Sequence, residues 1–264
     1  MRTNVIVVGV KYTNMMEIKM DLKQGNCIEL MQQLPAESID LILCDLPYEV
    51  TQNQKDKQIP LEPLWKEYKR TIKEKGTIVL TSQFPFTLDL INSNRNMFKY
   101  DLIWDKILPS GFLNSNRMPL RSHEHILIFY KKLGTYNPQF TKGKPSHSKG
   151  KMTSDTNQNY GEYDKVDNSK KQGDDKFPNS IISFMKPHPS KALHPTQKSL
   201  ELFEWLIRTY SNKGDIVLDN CMGSGTTGVA CKNTEREFIG YELNEEYFRI
   251  AEKRINETQK QVML

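Results

Sequence analysis

The sequence predicts an α/β fold: a doubly wound, mostly parallel sheet with helices on both faces and one inserted polar region. Three observations carry that prediction. The run Ile39-Asp40-Leu41-Ile42-Leu43-Cys44 is nearly continuously apolar, as a strand covered on both faces is, whereas a half-exposed strand alternates. It stops at Asp45-Leu46-Pro47-Tyr48, which sets a carboxylate, a rigid turn and an aromatic face at the strand's carboxyl end, where open α/β sheets hold ligands. A second run, Asp215-Ile216-Val217-Leu218-Asp219, leads into Asn220-Cys221-Met222-Gly223-Ser224-Gly225-Thr226-Thr227-Gly228, then the strand Phe238-Ile239-Gly240-Tyr241 ending in Glu242. Strand, glycine turn and helix start form a cradle that backbone can bring close to a ligand, with Glu242 in reach of a ribose.

At 264 residues the chain suits one α/β domain with an insertion. Residues 15–132 and 191–264 are expected to form the main body, 133–190 the insertion and 1–14 an N-terminal extension. In that extension Val5-Ile6-Val7-Val8 reads either as an edge strand or as part of a translated leader, with Met15, Met16 or Met20 as the functional start. Ile18-Lys19-Met20-Asp21-Leu22 alternates like a strand, and Gly25-Asn26-Cys27 turns into a short helix ending near Leu34. The polar stretch 49–59 lacks periodicity and reads as a mobile lid beside the Asp45 turn. Over 60–75, Leu61, Leu64, Trp65, Tyr68 and Ile72 have helical spacing, with Gly76 as the stop.

Residues 77–80 form the next buried strand, ending at Ser82-Gln83-Phe84-Pro85-Phe86, where the two phenylalanines read as core before pocket lining. Residues 100–106 and 125–131 are two further strands. The connection 108–122 is rich in glycine and asparagine and carries Arg117 and Arg121. His194-Pro195-Thr196-Gln197-Lys198 opens a helix with Leu200, Phe203, Ile207 and Tyr210 on one face; Thr196 can cap it, and its free N–H groups with Lys198 make an anion site. The last helix starts at Asn244, has Glu245 and Glu246 in its first turn, and buries Tyr247, Ile250, Ala251 and Ile255.

Net charge is +5, of the sign a polyanion prefers. Residues 131–190 hold eleven lysines, no arginine and six acids, so this stretch carries as much net charge as the whole chain. Tyr136, Phe140, Tyr160, Tyr163, Phe177 and Phe184 interleave with the lysines, a composition suited to phosphates and unstacked bases; a disordered linker is the competing reading. Cys27, Cys44, Cys221 and Cys231 lack C-x-x-C spacing and read as free thiols. His123 and His125 share a strand face, but no third ligand has a suitable spacing, so no metal is expected. With no signal-peptide pattern and no apolar stretch near 18 residues, a cytoplasmic protein with no membrane association is expected.

Gly223, Gly225 and Gly228 fit G-x-G-x-x-G, the mark of a nicotinamide site, but Asp219 and three further residues precede the first glycine. An acid there repels a pyrophosphate and suits a cationic sulfonium bearing an amino group. With both sites in hand, the chain resembles the S-adenosylmethionine-dependent amino-methyltransferases of DNA. Asp45-Leu46-Pro47-Tyr48 looks like their D-P-P-Y tetrad, Asp219-x-x-x-Gly223-x-Gly225 like their cofactor loop, and the order is that of their beta group. The likeness covers most of 18–258.

The resemblance implies a Rossmann-like methyltransferase fold and S-adenosyl-L-methionine held by Asn26, Thr196, Lys198, Asp219, Gly223, Gly225, Thr226 and Glu242. It implies double-stranded DNA as partner, approached through Arg117 and Arg121, with 133–190 as the target-recognition region. A homodimer and a cognate restriction endonuclease are possible companions. A base flipped out of the duplex would stack on Tyr48 and offer its amine to the Asp45 carboxylate and the Leu46 carbonyl, with Pro47 shaping the turn. That the acceptor is main chain explains how Leu46 stands where the family more often has proline. Asp at position 45 points to adenine N6, and cytosine N4 is the alternative. A non-catalytic DNA-binding module is a weaker rival, against which the intact Asp45 and Tyr48 weigh.

Overall fold

The computed structural model describes residues 18–47, 59–144, 174–187 and 197–258. The chain runs β1 (Met20–Gln24), α1 (Cys27–Gln32), β2 (Ile39–Asp45), α2 (Leu61–Thr71), β3 (Ile72–Ser82), α3 (Phe86–Ser93), β4 (Phe98–Ser110) and β5 (Arg121–Tyr130). After β6 (Thr141–Lys142), β7 (Asp175–Lys176) and β8 (Ile181–Ser183) come α4 (Leu200–Tyr210), β9 (Ile216–Asp219), α5 (Thr226–Thr234), β10 (Glu237–Glu242) and α6 (Glu245–Glu257). Eight strands make one sheet in the order β1-β10-β9-β2-β3-β5-β4-β8; β6 and β7 pair separately. Every neighbour in the large sheet is parallel except β5, which runs against both β3 and β4.

Alternation along the central strands divides the core into two layers. Leu41 and Leu43 face α4, α5 and α6 through Phe203, Leu206, Ala230 and Ala251, whereas Ile42 and Cys44 face α1, α2 and α3 through Met31, Tyr68 and Leu90. Both sides of β2 are therefore closed to water, which is why its sequence carries no alternation. The chain leaves β2 toward β3 on one side, while β9, β10 and β1 build outward on the other. The switch point lies between β2 and β9.

Several boundaries differ from those the sequence suggests. α2 ends at Thr71, five residues before Gly76, because Ile72 is needed in the core and begins β3 opposite Ile39. The ladder then slips and resumes at Leu41 opposite Thr77. α4 starts at Leu200 with Ser199 as its N-cap, so Thr196, which lies outside the described residues, is too far upstream to be the cap. In α6 only Ala251 and Ile255 are buried, with Tyr247 and Ile250 half-exposed at its rim. Phe86 is core, as expected, but Phe84 is 55% exposed. The short helix α3 has no counterpart in the sequence reading. β4 and β5 both run past the sheet as a hairpin, well beyond 100–106 and 125–131. All four cysteines are free. Among the described residues no helix is long and apolar enough to cross a membrane.

The described ends of the polar region are tied to the main body. Ile181 and Ile182 pair with Ile103 and Trp104, and the Trp104 indole donates to the Phe184 carbonyl at 2.8 Å. On the other flank the Asn137 amide donates to the Arg208 and Ser211 carbonyls at 3.2 and 3.1 Å, satisfying acceptors left open at the end of α4. Asn137→Ala should therefore lower unfolding free energy by about 1–3 kcal/mol. Urea denaturation of the variant beside the parent chain measures it.

Candidate functional site

The site is built on the two strands that flank the switch point. Leu41 and Ile42 of β2 pair with Val217 and Leu218 of β9, so Asp45 and Asp219 end adjacent parallel strands on the same edge. Each carboxylate is held differently.

Asp219 is 3% exposed. Its Oδ1 accepts from the Cys221 backbone N–H at 3.0 Å and its Oδ2 from the Thr227 hydroxyl. Burial pushes its carboxyl up to about 7, with those two hydrogen bonds pulling the other way. The following loop turns at Gly223, φ +51°, where a Cβ would meet open space, and at Gly225, φ +79°, where a Cβ would stand 3.0 Å from the Ala251 Cβ. Gly223 thus exposes backbone, and Gly225 lets the loop lie against α6. The Gly223 N–H donates to Glu242 Oε2 at 2.9 Å, while Glu242 Oε1 accepts from the Asn244 N–H at 2.8 Å. Burial raises the Glu242 carboxyl, and these backbone donors oppose it.

Gly25 donates to the Glu242 carbonyl at 2.9 Å, which brings the Gly25-Asn26 turn beside the cradle. There Asn26 caps α1, its Oδ1 accepting from the Ile28 N–H at 2.9 Å. Thr226 opens α5, and its hydroxyl meets Arg254 Nη1 at 3.1 Å; the same guanidinium donates to the Ser224 carbonyl at 3.1 Å. The structure therefore brings together Asn26, Asp219, Gly223, Gly225, Thr226 and Glu242, as the motif spacing implies. Arg254, which pins the loop from α6, carries no local signal in the sequence. Two acids around an open glycine turn fit a ligand that offers ribose hydroxyls and a positively charged group.

Asp45 stands at the neighbouring strand end with its side chain 20% exposed. Thr81, its register partner on β3, donates to Oδ1, and the Lys198 ammonium lies 3.1 Å from the same oxygen. Lys198 Nζ also donates to Glu124 Oε2 at 2.7 Å, and Lys106 Nζ meets Glu124 Oε1 at 3.3 Å. Burial holds the Asp45 carboxyl above its ordinary value; Lys198 draws it back only in part, and Glu124 opposes Lys198. Burial would also raise Glu124, but Lys198 and then Lys106 outweigh it and hold that carboxyl below its ordinary value. Lys198 is thus committed to an acid cluster and not presented at a helix start. Glu124 carries no local signal in the sequence, because its partner Lys198 lies 74 residues away. His125 pairs through Nδ1 with Asp101 Oδ2 at 2.9 Å, and no group of three potential metal ligands occurs among the described residues.

Leu46 is buried in the core and Pro47 is half-exposed. Tyr48 lies outside the described residues. Arg117 and Arg121 are exposed on the β4–β5 hairpin, Arg121 reaching Gln83 Oε1 at 3.3 Å. Between the two strands a 3-10 turn, Phe112–Asn114, presents Phe112 at 78% and Leu113 at 98% exposure.

Comparison with known proteins gives a consistent result. A family model described as DNA methylase, of the N6/N4 type, matches residues 39–253. The type II methyltransferase M.HpaI of Haemophilus parainfluenzae is 28% identical over 249 residues, covering 88% of this chain and 73% of the relative. The DNA adenine methyltransferase YhdJ of Escherichia coli is 27% identical, covering 88% of this chain and 81% of the relative. Among solved structures, the complex of M1.HpyAVI with S-adenosylmethionine superposes with a TM-score of 0.60 at 30% identity, covering 89% of this chain and 99% of that one. The cytosine-N4-specific PvuII methyltransferase, at 15% identity and a TM-score of 0.65 over 92% of this chain and 88% of its own, shares the fold.

The buried Asp219 has a consequence for stability. With a folded value of about 7 against an ordinary 3.8, the folded protein holds this proton more tightly than the unfolded chain. The stabilisation is present below the lower value and lost as pH rises to the higher one. Relative to Asp219→Asn, which keeps the shape without the charge, the ligand-free chain should lose stability between about pH 4 and 7. Urea midpoints across that range check it, and parallel curves for the two proteins would refute it.

Proposed function

The chain belongs to the N6/N4 DNA methylase family, and from that premise we propose that it transfers a methyl group from S-adenosylmethionine to the N6 amine of adenine in double-stranded DNA. The observation that carries the reading is the juxtaposition of Asp45 and Asp219 on adjacent strand ends, one beside the reacting amine and the other beneath the cofactor loop.

When bound, S-adenosylmethionine supplies a methyl group on a sulfonium. Glu242 takes the ribose hydroxyls, in exchange for one of its present backbone partners, and Asp219 lies under the loop as the negative charge facing the cationic end. Gly223 and Gly225 let backbone close on the ligand, Thr226 holds the loop through Arg254, and Asn26 fixes the turn beside Glu242. Thr196 precedes α4, the side from which the methionine carboxylate approaches in this reading, whereas Lys198 is turned to Asp45 and Glu124 and is not assigned to the cofactor.

An amine conjugated with its ring is a weak nucleophile because its lone pair is delocalised. Asp45 and the Leu46 carbonyl accept its two N–H groups and draw it toward tetrahedral geometry, which frees the lone pair. In the reaction the amine would take the methyl as the sulfonium left as a neutral thioether, and Asp45 would receive the surplus N–H proton and pass it to solvent. Tyr48 stacks on the flipped base, whose removal from the duplex costs a few kcal/mol. The hairpin with Arg117, Arg121, Phe112 and Leu113 contacts the duplex, cations on phosphates and apolar tip against the disturbed stack. The lysine-rich 133–190 region reads the target sequence.

Adenine is favoured by Asp at position 45 and by the likeness to a named adenine methyltransferase. Duplex DNA treated with the full chain and S-adenosylmethionine, digested to nucleosides and resolved by mass spectrometry, should yield N6-methyladenine. N4-methylcytosine as sole product would overturn the base assignment and leave the acceptor geometry standing. Asp45→Ala should abolish transfer while keeping cofactor affinity within about threefold, since its contribution arises in the reacting complex. Calorimetry and methyl incorporation on the same preparation measure both.

A further inference from the structure

We propose that Lys198 and Glu124 are positioning residues: Lys198 holds the Asp45 carboxylate aimed at the substrate amine, and Glu124 holds Lys198 in place against it. The inference rests on the function proposed above and adds two residues that bind neither base nor cofactor in this role. Its basis is a row of alternating charges, Asp45, Lys198, Glu124 and Lys106, linked at 3.1, 2.7 and 3.3 Å. The last three side chains are between 3% and 8% exposed. Such charges are tolerated away from water only when each has an opposite neighbour.

The row also has a direction. Lys198 and Thr81 both reach Asp45 Oδ1, and Oδ2 is the oxygen assigned to the amine. A lysine alone is a flexible point charge. Here Glu124 fixes Lys198 from β5, the Trp104 ring lies 5.8 Å from its ammonium, and Lys106, itself 3.1 Å from the Ser110 hydroxyl, fixes Glu124 from β4. Among the described residues, the charged and titratable groups facing Asp45 are Lys198 from the segment before α4, Glu124 from β5, Asp219 from β9 and the Cys44 thiol of its own strand, and of these Lys198 is the cation. A protonated Asp45 would donate where it must accept, so losing Lys198 removes activity at neutral pH by neutralising the acceptor.

Two substitutions with opposite signs test this. Single-turnover methylation of duplex DNA by the full chain, at saturating S-adenosylmethionine, is followed from acid to alkaline pH. Lys198→Met should move the acid limb of the rate profile upward, lowering the rate near neutrality by about tenfold or more with recovery toward alkaline pH. Lys198→Arg should restore the limb toward its original position. Glu124→Gln, which removes the charge opposing Lys198, should move the limb downward. If Lys198→Met does not fold with Glu124 left to Lys106 alone, the double variant Lys198→Met/Glu124→Gln replaces it, its limb lying between those of the parent and the shift expected for Lys198→Met.

Cofactor affinity by calorimetry should stay within about threefold in all variants. Equal loss of rate with unmoved limbs would overturn the inference, as would loss of cofactor binding in Lys198→Met with its limb unmoved. A parent chain that methylates no DNA would overturn the proposed function itself. A parent that methylates normally while its variants keep their limbs would overturn the positioning role alone.

Discussion

The structure depends on keeping two carboxylates at the ends of adjacent buried strands. Placing Asp45 and Asp219 side by side at the switch point puts two like charges where solvent is scarce, and each must be compensated or protonated. The fold meets the two cases differently. Asp219 receives hydrogen bonds from the Cys221 N–H, the Thr227 hydroxyl and the Cys44 thiol, and no cation among the described residues pairs with it; burial pushes its carboxyl up to about 7. Asp45 receives a lysine that is itself held by a second acid and a second lysine. Much of the rest of the edge follows from those needs: the buried Thr81 near the end of β3, the buried Lys106 on β4 and the Arg254 clasp on the glycine loop.

The reversal of β5 is what makes this compensation possible. In a wholly parallel sheet only the last residues of strands and the loops beyond them reach the catalytic edge. Because β5 runs against β3, its opening residues lie at that edge, and Glu124, the fourth residue of the strand, projects toward Lys198. The same reversal lets β4 and β5 continue past β3 as a hairpin: Ser82 of β3 faces His125, while the pairing of β4 with β5 extends on to Ser110 and Arg121. One topological choice thus supplies both the acid that steadies Lys198 and an arm projecting from the edge where Asp45 stands.

The sequence made the central strands legible because burial on both faces writes itself as a continuous apolar run, and the cradle legible because glycine spacing reports backbone geometry. Asp45, Asp219, Gly223, Gly225 and Glu242 lie together as those patterns imply. What escaped was non-local. Glu124 and Lys198 are 74 residues apart and meet only through an antiparallel insertion, and Arg254 reaches Ser224 from 30 residues away. Neither pair has a spacing to read. The end of α2 was misjudged for a related reason: Gly76 is an ordinary helix stop, yet the core's demand for Ile72 ends the helix a turn earlier.

The different treatment of the two acids also divides their labour. A carboxylate without a fixed cation is costly in the empty site, so a positively charged ligand beside Asp219 gains the attraction and relieves the burial at once; that gain is binding energy, present in the ground state. Asp45 already has a cation, Lys198, that offsets part of its burial, and in the proposed reaction it offers an acceptor of fixed position whose worth rises as positive charge develops on the amine. Interactions that strengthen toward the transition state accelerate the chemical step, whereas those equal in both states only tighten binding. Under the proposed function the lysine is what would separate a catalytic aspartate from a binding one, two residues of the same type standing on neighbouring strands of the same sheet.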